Sequence, residues 1–169
     1  GIYWDQTYSQ TEITVDSTPT ILDGYLVLRG VPEGILGWEL TADIDGEATF
    51  ISWSPEGQGI NAATYPNSFV YGLVDPLPNT PDGILLATVQ IMVSGPLPVT
   101  IGLEPYYRGA ISGEMAYLSA DDPAHPQIMG TPYGVPEVAW VNPNAPWYHV
   151  EPSGLLFDEC PLDVTTVRQ

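Results

Sequence analysis

Lysine is absent from the sequence, and the only cations are Arg29, Arg108 and Arg168. Against these three arginines stand 21 aspartates and glutamates, which give a formal net charge of −18 at pH 7. Proteins bind nucleic acids and anionic membranes with clusters of Lys and Arg that neutralise phosphate groups. The composition therefore argues against both partners. Divalent cations, polyhydroxyl ligands and further copies of the chain remain, although self-association must overcome charge repulsion.

Cysteine and long apolar runs are also scarce. Cys160 is the only cysteine, so no disulfide can form within the chain. No stretch reaches the roughly 18 consecutive apolar residues of a membrane-spanning helix, so we expect no membrane span. The sequence begins at Gly1 without a methionine, as a mature chain does after removal of a signal peptide. We therefore predict a secreted protein that is extracellular or lies at the cell surface.

Sequence motifs of the common enzyme classes are missing as well. The chain contains no Gly-x-Ser-x-Gly elbow, no phosphate-binding loop and no dinucleotide-binding fingerprint. The two histidines, His125 and His149, lie in no recognisable motif. Asp158 and Glu159 precede Cys160 directly, and their charges disfavour the thiolate that a nucleophile requires. These absences predict a non-enzymatic protein.

Hydrophobic residues make up 44% of the 169 residues, which is enough for a sizeable core. The 18 prolines interrupt any long helix, since an interior proline costs a helix about 3 kcal/mol. Between the prolines lie short runs of β-branched and aromatic residues bounded by turn residues. We predict an all-β protein, an antiparallel β-sandwich or jelly roll with Pro/Gly-rich loops. The predicted strands are Ile2–Asp5, Glu12–Val15, Leu22–Arg29, Leu36–Ile44, Ala48–Trp53, Ser68–Val74, Gly83–Val93, Pro98–Leu103, Met115–Ser119, Glu137–Val141 and Trp147–Val150.

The segment around Asp45-Gly46 carries the clearest hairpin signal. Between Trp38 and Ile44, apolar and polar residues alternate, which predicts one buried and one solvated face. Asp-Gly follows directly, and this dipeptide is typical of the type I′ turn between paired strands. We therefore predict a hairpin in which residues 38–44 pair with residues 47–53.

Four segments resemble the cohesin-like sandwiches of secreted bacterial surface proteins. The segments are Gly24–Leu28, Gly34–Leu40, Asp82–Val89 and Pro98–Ile101. The resemblance as a whole extends from about Ile2 to Leu118. In that fold, a first strand leads to a strand with a glycine-hydrophobic-aromatic pattern, and a later strand crosses the core. The resemblance implies a cohesin-like sandwich in an extracellular setting, with a role in adhesion or assembly.

The two ends of the chain are candidates for assembly. We divide the sequence into an N-terminal β-prone arm (1–15), a sandwich domain (16–157) and a C-terminal arm (158–169). Either arm could add a strand to the open sheet edge of a neighbouring copy. The alternative is that the arms pair within their own sandwich. The side chains that would enter the neighbour are Ile2, Trp4, Leu162 and Val164.

Two further ligand sites are predicted. Asp43, Asp45 and Glu47 place three carboxylates within five residues, a set suited to calcium, although Asp-Gly is also explained as a turn. Aromatic residues could stack on sugar rings, or could simply fill the core. These aromatic residues are Tyr3, Trp4 and Tyr8, then Tyr106 and Tyr107, and finally Trp140, Trp147 and Tyr148, of which we select the last three as the glycan-binding candidates.

Taken together, the sequence predicts a structural protein of the cell exterior. Our preferred function is a self-assembling subunit of a surface filament, pilus or layer, built by strand addition from a terminal arm. Its partners would be further copies of itself, with no cofactor other than calcium. The alternative function is a carbohydrate-binding or cohesin-type adhesion module with a glycan as its ligand.

Overall fold

A computed structural model describes residues 1–132 and 134–143, which form twelve β-strands and no helix. In that part of the chain, nothing resembles a helix that could cross a membrane. The strands are β1 (Ile2–Tyr3), β2 (Glu12–Val15), β3 (Thr20–Leu28), β4 (Ile35–Asp45), β5 (Ala48–Pro55), β6 (Gly59–Asn61), β7 (Ser68–Leu77), β8 (Ile84–Val93), β9 (Val99–Glu104), β10 (Met115–Ser119), β11 (Gln127–Met129) and β12 (Glu137–Pro143).

The strands form two sheets that pack against each other. The four-stranded sheet has the order β1-β3-β8-β5. The eight-stranded sheet has the order β11-β10-β4-β9-β12-β2, and β7 pairs with the other edge of β4 and carries β6. Neighbouring strands are antiparallel except β12 and β2, which run parallel. The prediction of an all-β, mostly antiparallel sandwich is confirmed.

The core lies between the two sheets because each strand turns alternate side chains inward. From the four-stranded sheet come Leu26 and Ile91, and from the eight-stranded sheet come Leu40 and Ile101, all buried. Each such side chain contributes about 1.5–3 kcal/mol through removal of its apolar surface from water. Every predicted strand within the described residues overlaps an observed one, whereas Trp147–Val150 lies outside the described residues.

The predicted hairpin at Asp45-Gly46 is wrong. β4 belongs to the eight-stranded sheet, and β5 belongs to the four-stranded sheet, where it pairs with β8. A type I′ turn needs positive φ at both central residues, but only Gly46 has it, at +105°. The Asp45 carboxylate accepts a hydrogen bond from the Gly46 amide. The dipeptide therefore forms a corner at which the chain crosses from one sheet to the other.

Residues 1–15 are paired within the same sandwich, which is the intramolecular alternative for this arm. In β1, Ile2 and Tyr3 pair with β3, while β2 pairs with β12. Ile2 is fully buried, and Trp4 is only 8% exposed. The Trp4 indole N–H lies 3.2 Å from the Thr11 carbonyl and 3.1 Å from the Trp140 carbonyl. The ring thus ties the start of the chain to β12.

A single carboxylate organises the loop between β1 and β2. The Asp5 carboxylate accepts hydrogen bonds from the Thr7 hydroxyl, from the Ser9 amide and hydroxyl, and from the Gln10 amide. The Thr7 hydroxyl and the Gln10 and Ser9 groups hold the pKa of Asp5 well below its ordinary value of 3.8. These bonds favour the charged form, so they stabilise the loop only while Asp5 is ionised.

We expect Asp5→Asn to lower the melting temperature at neutral pH. Because the pKa of Asp5 is depressed in the folded protein, its contribution is complete above 3.8 and is lost as the pH falls below that value. The difference between the wild type and Asp5→Asn should therefore narrow on acidification, as measured by thermal unfolding followed by circular dichroism. A difference that stays constant from about pH 7 to about pH 2.5 would contradict this role for the carboxylate.

Candidate functional site

A cleft of about 430 Å³ opens on the outer face of the eight-stranded sheet, and we call it the tyrosine cleft. Its lining residues are Thr41, Tyr65, Pro66, Ser68, Glu104, Pro105 and Tyr107. Three neighbouring strands supply the floor, because Ser68 of β7 and Glu104 of β9 both lie opposite Thr41 of β4. Directly opposed side chains point to the same face of a sheet. Since Leu40 and Ala42 point into the core, Thr41 and its neighbours point outward.

The floor of the tyrosine cleft is polar. The hydroxyls of Thr41 and Ser68 lie 3.1 Å apart and are hydrogen-bonded to each other. Each hydroxyl carries one donor and two acceptor positions, and Thr41 is partly exposed, whereas Ser68 is buried beneath it. The Glu104 residue beside them is exposed and supplies a carboxylate that only accepts hydrogen bonds when ionised. The floor therefore offers the Thr41 hydroxyl and the Glu104 carboxylate to a ligand.

Two tyrosines in edge-to-face contact form one wall of the cleft. Tyr65 and Tyr107 are 58% and 55% exposed, and their ring centroids lie 5.1 Å apart with an edge-to-face angle of 80°. Tyr65 lies in the turn before β7, and this turn is tied to β4 by a hydrogen bond from the Ala42 amide to the Asn67 carbonyl. Asn67 also accepts a hydrogen bond from the Trp53 indole. Tyr65 therefore lies on a turn that is fixed to β4 and β5.

The loop that carries Tyr107 is held by a buried glutamate. The Glu39 carboxylate accepts a hydrogen bond of 2.6 Å from the Ala110 amide, within the loop that carries Tyr107. Glu39 lies on the face that its strand pattern predicts to be solvated, but the loop covers it and leaves it buried. The Arg108 guanidinium lies 5.0 Å from the centre of the Tyr107 ring, within cation–π distance. These contacts hold Tyr107 in place without a ligand.

The predicted calcium residues do not gather into one cluster. Asp43 and Asp45 point outward from β4, and Asp45 bonds the Gly46 amide. Glu47 follows the corner, where its carbonyl accepts hydrogen bonds from the Ser94 amide and hydroxyl. Within residues 1–132 and 134–143, no three His, Cys, Asp or Glu side chains are grouped as a metal site would require. Calcium binding stays a prediction.

Of the selected glycan-binding aromatics, only Trp140 lies within the described residues. It is half-buried in β12, opposite Thr100 of β9 and Glu12 of β2. Thr100 is at the far end of β9 from Glu104, so Trp140 does not line the tyrosine cleft. Trp147, Tyr148, Leu162 and Val164 lie outside the described residues, and their predicted roles stay predictions.

No family model, curated protein or solved structure matches this chain. The structure confirms the all-β sandwich, whereas the resemblance to cohesin-like proteins stays a prediction.

Proposed function

We propose that this protein is a non-enzymatic, extracellular glycan-binding module, and that the tyrosine cleft is its binding site. The observation that carries the proposal is the pair of exposed rings, Tyr65 and Tyr107, above a floor of hydroxyls and one carboxylate. A sugar ring has apolar C–H faces and polar hydroxyl edges. The tyrosine rings match the faces, and the floor matches the edges.

Prior organisation of the cleft supports this assignment. Tyr65 and Tyr107 are rigid aromatic side chains on a tied turn and a tied loop, so ligand binding orders few groups. Exposed apolar patches often mark interaction sites, and the two adjacent exposed rings form such a patch. The net charge of −18 and the Glu104 carboxylate repel acidic glycans. The expected ligand is therefore a neutral oligosaccharide.

The cleft is better suited to binding than to hydrolysis. Glycosidases use two carboxyl groups about 5–9.5 Å apart on either side of the scissile bond. Glu104 is the only carboxylate among the residues that line the tyrosine cleft. Among the described residues of the lining, a bound glycan would meet one carboxylate and no second acid. This arrangement favours a binding module over an enzyme.

Removal of the two rings tests the proposal. We expect Tyr107→Ala and Tyr65→Ala each to weaken glycan binding by about 10- to 100-fold, since an aromatic anchor contributes about 1.5–3 kcal/mol. Binding would be found on an array of neutral and acidic oligosaccharides and then quantified by titration calorimetry with the neutral sugar that gives the strongest signal.

Two controls accompany this test. Tyr107→Phe keeps the ring and should keep most of the affinity, and Leu97→Ala removes an exposed apolar side chain that does not line the cleft. No binding to any glycan on the array, or full binding by the double variant Tyr65→Ala/Tyr107→Ala, would refute the proposal.

We keep strand addition by residues 158–169 as a second proposal. It is favoured by β5, which is eight residues long and lies at one edge of the four-stranded sheet. Unpaired backbone groups on an edge strand can accept a strand from another chain. Against it, β5 contains a bulge between Phe50 and Ser52 and ends in Pro55, two features that protect edges. Deletion of residues 160–169 tests it, because polymers built by strand addition should then vanish.

A further inference from the structure

A second part of the eight-stranded sheet presents an apolar outer surface, which we call the apolar face. It spans β6, β7, β4, β10 and β11. The register places two rows of outward residues side by side across these strands. The first row is Ile60, Gly72, Gly37 and Leu118, and the second row is Ala62, Val70, Glu39, Ala116 and Ile128.

The margins of the apolar face are prominent and exposed. Ile60 on β6 is 76% exposed, and Ile128 on β11 is 59% exposed. Val74 continues the outward positions of β7 next to the first row and is also exposed. Glu39 is the one ionisable residue in the two rows, and it is buried under the loop that includes Ala110. Between these margins Gly37, Glu39 and Ala116 are buried, so the exposed apolar side chains lie on either side of the centre. Exposed apolar surface of this kind often marks an interaction site.

The centre of the apolar face is a trough of about 220 Å³. Small residues form its floor, with Gly72 and Gly37 side by side and Ala116 next to them. Ala110 and Pro126 line its sides. A side chain added at Gly72 would enter open space, since no atom lies within 4 Å of its Cβ position. The same surface therefore carries both a ridge of large side chains and a trough that can receive one.

We propose that a second copy of this chain docks on the apolar face, so that a ridge of each copy enters the trough of the other. A surface that contacts itself across a two-fold axis must be self-complementary, and a ridge beside a trough meets that condition. Charge is compatible with this contact. Two copies, each with a net charge of −18, repel each other, but the two rows contain no exposed carboxylate.

The size of the surface predicts a reversible dimer. Three strands over about five residues each and two strands of three residues each, spaced about 4.8 Å apart, cover at most about 330 Å² per copy. Stable complexes bury about 800 Å² per partner, so this contact belongs to the weak, concentration-dependent class. Exposed acids in the adjoining segments (Asp75, Glu114 and Asp122) oppose it at low salt. Salt should screen them and promote association.

The apolar face and the tyrosine cleft are separate parts of the same sheet. The loop that covers Glu39 lies between them, with Ala110 lining the trough and Tyr107 lining the cleft. The dimer proposal does not rest on glycan binding, and each can fail without the other. Variants on the apolar face leave all residues of the cleft unchanged.

Sedimentation velocity of the 169-residue chain tests the proposal. We expect a monomer–dimer equilibrium that shifts to dimer with protein concentration and from about 20 mM to about 500 mM NaCl, as the Debye length falls from about 20 Å to about 4 Å. Ile128→Asp and Ile60→Asp should each raise the dissociation constant at least about tenfold, because each places a charge in the contact. Gly72→Val should do the same by filling the trough.

The chain offers a matched control. Ile21 lies on the outer face of the four-stranded sheet and has the same 59% exposure as Ile128. Ile21→Asp should leave the dissociation constant unchanged. The proposal would be overturned if the wild type stayed monomeric at all concentrations and salt conditions. It would also be overturned if Ile128→Asp and Ile60→Asp dimerised with the same dissociation constant as the wild type. Polymers that persist in these variants and vanish on deletion of residues 160–169 would overturn it in favour of strand addition.

Discussion

Trp4→Ala is expected to lower the free energy of unfolding by about 3–5 kcal/mol, the usual cost of removing a large aromatic side chain from a core. Trp4 belongs to the buried cluster between the sheets. Its indole N–H also contacts the carbonyls of Thr11 and Trp140, so the substitution removes a donor shared by β12 and the segment that leads into β2. Urea unfolding followed by fluorescence and circular dichroism measures the loss.

Trp4→Phe is the matched control for this substitution. It keeps an aromatic ring in the core but removes the indole donor, and it should cost clearly less than Trp4→Ala. The comparison separates packing from hydrogen bonding. A loss below about 1 kcal/mol in Trp4→Ala would show that the ring does not pack in its own core, and that residues 1–15 act as an exchangeable arm instead.

Gly46→Ala is expected to destabilise the fold by about 2–4 kcal/mol, through two effects at one residue. The backbone of Gly46 has a φ of +105°, a conformation that a residue with a Cβ rarely adopts. The added Cβ would also lie 2.6 Å from the Pro98 carbonyl oxygen and 3.1 Å from the Val99 Cα. Because both contacts are backbone atoms, they cannot be relieved by rotation of a side chain.

Gly30→Ala separates the two effects. Gly30 also has a positive φ, of +77°, but no atom lies within 4 Å of its Cβ position. It should cost only the backbone strain, about 1 kcal/mol. Thermal and urea unfolding of both variants provide the comparison. Equal losses would mean that the corner between β4 and β5 is not pressed against the start of β9.

Local sequence patterns predicted the strands well but not their partners. The alternation between Trp38 and Ile44 placed Leu40 and Ala42 in the core correctly, because burial on one face of a strand follows a period of two residues. The partners of β4 are instead β7, β9 and β10. Those pairings depend on how the two sheets pack, and Asp-Gly fits a corner between sheets as well as a hairpin.

The short strands β6 and β11 could not be predicted from composition. They contain three residues each, Gly-Ile-Asn and Gln-Ile-Met, and lack the β-branched runs that mark a strand. Their existence follows from the longer strands beside them, which offer backbone groups for pairing. These two strands nevertheless carry Ile60 and Ile128, the exposed side chains at the two margins of the apolar face.

The tyrosine cleft was only partly visible in the sequence. Tyr107 stands among the aromatic residues considered for glycan stacking, whereas Tyr65 gave no signal of its own, since a lone tyrosine before a proline is typical of any loop. The fold brings the two rings together across three strands. The burial of Glu39 also escaped prediction, because only the path of the loop that contains Ala110 explains why a carboxylate lies covered on an outer face.

The parallel pairing of β2 with β12 has a mechanical consequence. The two strands run side by side in the same direction over Glu12–Val15 of β2 and Trp140–Pro143 of β12. β2 lies near the beginning of the chain, and β12 is the last strand that the structure describes. Tension applied just before Glu12 and just after Pro143 would pull these strands along their length in opposite directions. The hydrogen bonds between them would then bear the force together instead of opening one after another, so a sandwich anchored at a surface would resist extension at this pair.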